Sequence, residues 1–424
     1  MLSTLRSGVK TKSLLQVAAI KKQHKVFLCV KNATRYITIV PNSGTEEVSA
    51  LVERARKAQK EIENCSQQEV DDLITAMVYA VAKEPVAKMI AQHTVDETRL
   101  GNYDGKFLKI FRKTRATLMD IINDKSVGVI EEDKAREIIK IAKPIGVIGA
   151  LSPSTNPEAT PVIKAISSIK GRNSIVIAPH PRATLTNKLI VDLMREAIVK
   201  MGYPADLVIG IEEPSVPKTN ELMKYCDRVL ATGGGAMVTA AYSSGTPALG
   251  VGVGNAVITV DDTADLDDAA EKIRISKTLD LAASCSADNS VILFEDIYDK
   301  MLDKLKGKGG FVLDGEAKEK LKNTLWKDGH LNAKIVAQSP SFIAKEAGFD
   351  IPEGTQFFIA PEIGIGSDYP FSGEKLSVTM ALYRAKVSLL LMNNIITSMI
   401  FFLPHLFHVL ISSTILPTYI IGSG

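Results

Sequence analysis

Between its two ends the chain alternates short, continuously apolar runs with longer amphipathic ones. The first amphipathic stretch, "VSALVERARKAQKEI", places Val48, Leu51, Val52 and Ala55 on one helical face. Thr45 stands before it as a candidate N-cap, and Glu46 and Glu47 suit the positive end of the helix dipole. A second helix is predicted over 68–82. Further on, apolar runs at 145–151, 174–179, 207–211 and 228–234 read as strands, separated by predicted helices at 159–170, 185–202 and 217–225. Strands apolar at nearly every position are buried on both faces, the mark of a parallel sheet covered by helices. Sheets of this kind bind ligands beyond the carboxyl ends of their strands.

Composition changes this picture at the ends. Residues 1–45 hold eight Lys/Arg and no acid. They loosely resemble an organelle transit peptide, although Lys rather than Arg dominates, and a non-native upstream extension or a misplaced start fits equally. Residues 387–424 carry no charge at all. A bilayer needs about 20 apolar residues, so this tail is long enough to span one, but Asn393, Asn394, Pro404 and Pro417 interrupt it. Ile, Leu, Phe, Asn and Ser are what AT-rich codons encode out of frame. The expectation is a shifted or foreign reading frame, with a membrane segment or a buried tail as alternatives.

The body, 46–386, has 43 basic against 48 acidic side chains, a net of −5, where the whole chain has +3. It shows no basic stripe with interleaved aromatics, so nucleic acid is not an expected partner. Cys29, Cys65, Cys226 and Cys285 include no CxxC pair, which argues against a disulfide framework or a zinc site. Among the histidines only His405 and His408 are close in sequence, in the apolar tail and without an acidic partner, so no metal is expected.

Four stretches carry candidate chemistry. In "LSPSTNPEATP" Asn156 falls between a strand end and a helix start; it either caps the turn or points an amide N–H into a cleft. In "IVIAPHPRA" His180 follows a buried strand; it is either a loop histidine or a contact to a cofactor's ribose or phosphate. "LATGGGAMVTAAYSSGTPALGVGVGN" ends a strand at Thr232 and runs through glycines into a helix, an arrangement that lets backbone approach a pyrophosphate, although it is not GxGxxG. In "LDLAASCSADNSVILFED" Cys285 precedes a buried strand. It is either a small packed residue or a thiolate that attacks a carbonyl, and the resulting oxyanion needs donors such as an amide.

Together "TNPEATP", "KGRNSIVIAPHPRA", "LATGG", "SCSADNSVI" and "FSGEKLS" resemble the coenzyme A-acylating aldehyde dehydrogenases over most of residues 46–386. That group includes acetaldehyde, succinate-semialdehyde and sulfoacetaldehyde dehydrogenases. The resemblance implies an aldehyde dehydrogenase-like α/β fold: a Rossmann-type parallel-sheet NAD-binding domain over 46–255 and a second α/β catalytic domain over 256–386. The family continues past "ALYRAK", so the catalytic domain is expected to be truncated where the tail begins, and "EKLSVTM" lacks a usual proline.

By the same resemblance Cys285 is the nucleophile and Asn156 the oxyanion-hole amide. Thr155, His180, Thr232, Gly233, Gly234 and Gly252 line the cofactor, and Glu374 holds its nicotinamide ribose. Hydrolytic relatives carry a glutamate base where this chain has Gly250; without it, an acyl-enzyme waits for the coenzyme A thiol. The implied reaction converts a small aldehyde, NAD (or NADP) and coenzyme A to an acyl-CoA. The polar loop of Ser284, Ser286 and Asn289 favours a small polar or anionic aldehyde such as sulfoacetaldehyde, with acetaldehyde and succinate semialdehyde as alternatives. The expected setting is the cytoplasm (otherwise a bacterial microcompartment, an organelle, or a membrane reached through the tail), and the expected assembly of a full-length chain is a homodimer or tetramer. A truncated inactive or nucleotide-binding relative, a hydrolytic aldehyde dehydrogenase and an acyl-phosphate reductase are the competing readings.

Overall fold

A computed structural model of the chain describes residues 47–386. The basic extension with Thr45 and Cys29, and the apolar tail with His405 and His408, lie outside the described residues. Helix α1 (Val48–Ile62) buries Val48, Leu51, Val52, Ala55, Ala58 and Ile62 on one face. Glu47, not Thr45, occupies its N-cap and makes no side-chain cap bond. Its carboxylate suits the helix dipole there. Helix α2 (Gln67–Ala82) begins in a capping box: the Glu69 amide donates to Ser66 Oγ at 3.3 Å and the Ser66 amide to Glu69 Oε2 at 2.8 Å. Helices α3 (Glu84–Thr98) and α4 (Tyr103–Leu108) follow, and a wide turn at Lys109–Lys113 leads into α5 (Thr114–Ile122).

An antiparallel hairpin, β1 (Gly128–Asp133) with β2 (Ile138–Ala142), stands out from the body. The apolar pattern did not reveal it because Ile130, Ile138, Ile139 and Ile141 face outward rather than into a core.

The first sheet is wholly parallel, in the order β5-β4-β3-β6-β7. Its elements are β3 (Val147–Leu151), α6 (Thr160–Lys170), β4 (Ser174–Ala178), α7 (Thr184–Lys200), β5 (Val208–Gly210), α8 (Val216–Tyr225), β6 (Arg228–Thr232), α9 (Gly235–Tyr242) and β7 (Ala248–Val251). Strand β4 shows why this sequence makes such a sheet. Ile175 and Ile177 join the core under α2, α6 and α7, while Val176 and Ala178 join the opposite core with residues of α1 and α8. Apolar residues at consecutive positions thus serve two layers. Strand β7, at one edge of the sheet, lies outside the four predicted runs; its Leu249 and Val251 are exposed, whereas β5 at the other edge is buried.

The chain leaves β3 in one direction through β4 and β5 and returns to its other side with β6, which creates a switch point between β3 and β6. Lys164 of α6 ties this point together by donating to Leu151 O at 2.6 Å and Leu230 O at 2.7 Å. Burial lowers its pKa to about 7.

The second sheet is also parallel, in the order β10-β13-β14-β9-β8. It is built from β8 (Ala256–Val260), α10 (Leu266–Thr278), β9 (Asp288–Phe294), α11 (Glu295–Gly307), β10 (Gly310–Val312), α12 (Gly315–Leu325), the short pair β11 (Trp326–Lys327) and β12 (His330–Leu331), α13 (Pro340–Ala347), β13 (Phe357–Pro361) and β14 (Thr379–Ala385). Val291, Leu293, Phe358, Met380 and Leu382 fill its core. The segment before α4 joins the two halves: Gly101 donates its amide to Ala337 O at 3.0 Å, and Gln338 Nε2 donates to Arg99 O at 3.0 Å. No helix among the described residues is long and apolar enough to cross a membrane.

Ile177 is fully buried, whereas Met119 of α5 is 68 % exposed. Ile177→Ala is expected to cost about 2–5 kcal/mol through lost burial and the cavity left behind, and Met119→Ala less than about 0.5 kcal/mol. Urea unfolding of the two variants checks this contrast; equal midpoints would contradict the two-layer core.

Candidate active site

Cys285 owes its place to the backbone before it. Asp280, Leu281 and Ala282 all lie in the left-handed region, at φ 51°, 52° and 60°. Each such non-glycine residue costs on the order of 1–3 kcal/mol, so the surroundings must hold the turn. Asp280 does so from a buried position. Its Oδ1 accepts from the Asn102 amide at 2.9 Å, and its Oδ2 contacts Lys106 Nζ at 2.9 Å and also Lys109 Nζ. Gly105 lets the chain approach this closely, since a Cβ there would lie 2.4 Å from Asp280 Cα. The turn delivers Cys285 to the surface ahead of β9. It is exposed, whereas Cys65 and Cys226 are buried as ordinary core thiols. Of the polar neighbours, Ser284 is buried with its Oγ 2.9 Å from Ser286 Oγ, and Asn289 Oδ1 accepts from the Lys375 amide at 3.3 Å. Ser286 alone of the three is exposed.

Asn156 comes from the other half of the molecule, in the loop after β3. Its Nδ2 donates to Ala283 O at 3.2 Å, two residues before Cys285, and to Thr155 Oγ1 at 3.1 Å. Its Oδ1 accepts from Lys109 Nζ at 2.7 Å. Beneath it lies a buried group of two cations and two anions. Lys106 Nζ donates to Thr155 O at 2.7 Å and stands 3.6 Å from Glu158 Oε2; Lys109 Nζ stands 3.8 Å from Glu158 Oε1. Burial pushes the Lys109 ammonium pKa down, Glu158 and Asp280 push it back up, and Lys106 lowers it further.

Glu374 approaches from the loop before β14. It accepts a hydrogen bond from the Gly254 amide. A Cβ on Gly254 would lie 2.7 Å from Cys285 O and 3.4 Å from Glu374 Oε1, so Gly254, Cys285 and Glu374 converge. Burial raises the Glu374 carboxyl to about 7, against the lowering effects of the Gly254 amide, Lys375 and Lys277. Gly250 sits elsewhere. A Cβ there would meet Val238 Cγ1 at 2.7 Å and Tyr242 Cε2 at 3.0 Å, and its amide donates to Tyr242 Oη at 3.0 Å. A larger residue there would require Val238 or Tyr242 of α9 to shift.

The remaining candidates lie along the carboxyl edge of the first sheet. Thr155 follows β3, exposed His180 follows β4, Thr232 ends β6, Gly233 and Gly234 lead into α9, and Gly252 follows β7. His180 Nδ1 accepts from the Arg182 amide at 3.1 Å; partial burial and the Arg182 charge depress its pKa. A Cβ at Gly234 or Gly235 would meet nothing within 4 Å, so the turn is open at a helix N-terminus, where the dipole favours negative charge. Sequence reading had missed Lys106, Lys109, Glu158, Asp280 and Gly254. The lysine spacing in "GKFLK" looks like any helix face, and nothing local to it names partners far along the chain.

An exposed cysteine with a side-chain amide reaching the chain just before it is a pairing suited to attack on a carbonyl. Comparison with known proteins agrees: the aldehyde dehydrogenase family matches residues 20–310, and the chain belongs to that family. Within it, the chain is similar to the acylating aldehyde dehydrogenases. It is 42 % identical over 346 residues to the acylating sulfoacetaldehyde dehydrogenase of Cupriavidus necator, covering 81 % of this chain and 70 % of that protein. The crystal structure of an acetylating aldehyde dehydrogenase from Geobacillus thermoglucosidasius superimposes with a TM-score of 0.78 at 37 % identity, over 84 % of this chain and 78 % of that one. A Rhodopseudomonas palustris propionaldehyde dehydrogenase, solved with bound CoA and an acylated cysteine, gives 0.70 at 27 % identity, over 81 % and 78 %.

The Glu374 carboxyl predicts a pH signature. A group at about 7 in the fold, against an ordinary 4.5, retains its proton in the folded state between those values. Its contribution to stability is therefore full below about pH 4.5 and is lost as pH rises through 7. Glu374→Gln, which never ionises, is expected to gain on the unchanged chain by about 2–3 kcal/mol at pH 8 and to lose that advantage near pH 5. Thermal melts across this range read the difference; a pH-independent gap would contradict the buried carboxyl.

Proposed function

We propose that this enzyme oxidises a small polar or anionic aldehyde, with sulfoacetaldehyde the leading candidate, to its coenzyme A thioester. In this reading Cys285 is the nucleophile, Asn156 and the Cys285 amide hold the oxyanion, and Thr155, His180, Thr232, Gly233, Gly234, Gly252 and Glu374 seat the cofactor. The observation that carries it is the Asn156 amide bonded to Ala283 O, two residues before the exposed Cys285. Exposed Ser286 beside the nucleophile and the sulfoacetaldehyde-acting relative from Cupriavidus necator support the choice of substrate.

The Cys285 thiolate adds to the aldehyde carbon, and the C=O pair moves onto oxygen. Asn156 exchanges its bond to Thr155 Oγ1 for one to that oxyanion, while its bond to Ala283 O keeps the amide beside the nucleophile. Bound NAD(P)⁺ supplies the hydride acceptor. Collapse of the oxyanion expels the aldehyde hydrogen as hydride and leaves a thioester on Cys285. Position 250 is a glycine and supplies no carboxylate to activate water, so the thioester persists until the coenzyme A thiol attacks it and Cys285 departs as thiolate.

The purified chain is expected to form NADH, read at 340 nm, from sulfoacetaldehyde faster than from acetaldehyde or succinate semialdehyde. Sustained turnover is expected only with coenzyme A present, and Cys285→Ala is expected to abolish it. Equal rates without coenzyme A, or turnover surviving in Cys285→Ala, would sink this reading. A preference for another of the three aldehydes would sink only the substrate assignment.

A further inference from the structure

We infer that Lys109 is a positioning residue for the oxyanion amide: by donating to Asn156 Oδ1 it fixes which end of that amide faces Cys285. The inference rests on the role proposed above for Asn156. A side-chain amide has two ends of nearly equal shape, and only the NH₂ end can donate to an oxyanion. Lysine has donors and no acceptor, so the atom 2.7 Å from Lys109 Nζ must be the amide oxygen. The NH₂ end then points away, toward Thr155 Oγ1 and toward Ala283 O, two residues before Cys285.

Lys109 is itself locked in place. It is buried, contacts Asp280 Oδ2 and stands 3.8 Å from Glu158 Oε1. Asp280 belongs to the left-handed turn that delivers Cys285. One ammonium therefore links the amide to the backbone of the nucleophile, so that the two halves of the site keep their mutual distance. Lys106 completes the group but bonds to Thr155 O, not to the Asn156 side chain. The charged groups facing Lys109 are Glu158 in the loop after β3, Asp280 before Cys285, and Lys106 of α4.

The test uses p-nitrophenyl acetate on the full chain without cofactor. The Cys285 thiolate attacks the ester carbonyl, the oxyanion forms and collapses, and p-nitrophenolate leaves as the cysteine becomes acetylated. The burst of p-nitrophenolate thus reads oxyanion stabilisation directly. Alkylation by iodoacetamide reads the same thiolate in a displacement that builds no oxyanion. Lys109→Met and Asn156→Ala are each expected to slow the burst by about 10²-fold, the scale of losing one oxyanion donor. The double variant is expected to be no slower than Asn156→Ala alone, because Lys109 acts through that amide. Iodoacetamide rates are expected to stay within about threefold, and Lys109→Arg to recover much of the burst.

Equal costs of Lys109→Met in both backgrounds, or a matching fall in alkylation, would show a structural role only and overturn the inference while leaving Asn156 in place. A full-rate burst in Asn156→Ala, or no burst in the unchanged chain, would overturn the proposed site itself. If Lys109→Met does not fold, Lys109→Met/Glu158→Gln removes one charge of each sign without touching the Asp280 turn and carries the same comparison.

Discussion

Asp280 is the residue on which the site's geometry turns. A buried carboxylate without partners is costly, and three consecutive left-handed residues are costly as well. The two costs offset through one arrangement. The turn aims the carboxylate at Lys106, Lys109 and the Asn102 amide, and those donors hold the turn. Removing the carboxylate would release the turn, whereas loss of Lys109 alone leaves Asp280 bonded to Lys106 and the Asn102 amide. The same lysines reach Thr155 O and Asn156 Oδ1 beyond the carboxyl end of β3. Three segments far apart in sequence, 102–109, 155–158 and 280–285, are thereby held as one unit between the two parallel sheets.

The two sheets have separate tasks around this unit. The first offers its switch point, tied by Lys164, and an open glycine turn at the start of α9. The second offers the loop before β9 with Cys285 and the loop before β14 with Glu374. Gly254 lies in the crossing between them, where any side chain would press on Cys285 O. Absence of a side chain thus matters at two glycines for different reasons. At Gly254 it permits the halves to close on the nucleophile, and at Gly250 it reflects space already taken by Val238 and Tyr242.

Much of the first sheet was legible in the sequence because its strands are apolar on both faces, a signal that needs no knowledge of partners. Strands predicted at 145–151 and 174–179 form at Val147–Leu151 and Ser174–Ala178, and helices predicted at 159–170 and 217–225 form at Thr160–Lys170 and Val216–Tyr225. The edge strand β7 and the outward-facing hairpin β1–β2 were harder, because exposure breaks the link between hydropathy and element. Cys285 and Asn156 stood out by residue type and setting. Lys106, Lys109, Glu158 and Asp280 did not, since a buried ion group is a property of the folded chain and each member alone reads as a surface charge. The Thr45 cap failed for a local reason: the helix starts at Val48, with Glu47 at its cap.

The central claim is that Cys285 carries the acyl group and that water does not remove it. Peptide mass spectrometry after incubation with sulfoacetaldehyde and NAD⁺ in the absence of coenzyme A tests this most directly. An acyl adduct is expected on the peptide containing Cys285, stable in buffer and discharged when coenzyme A is added. An adduct on another residue, no adduct at all, or one lost equally fast with and without coenzyme A would contradict it.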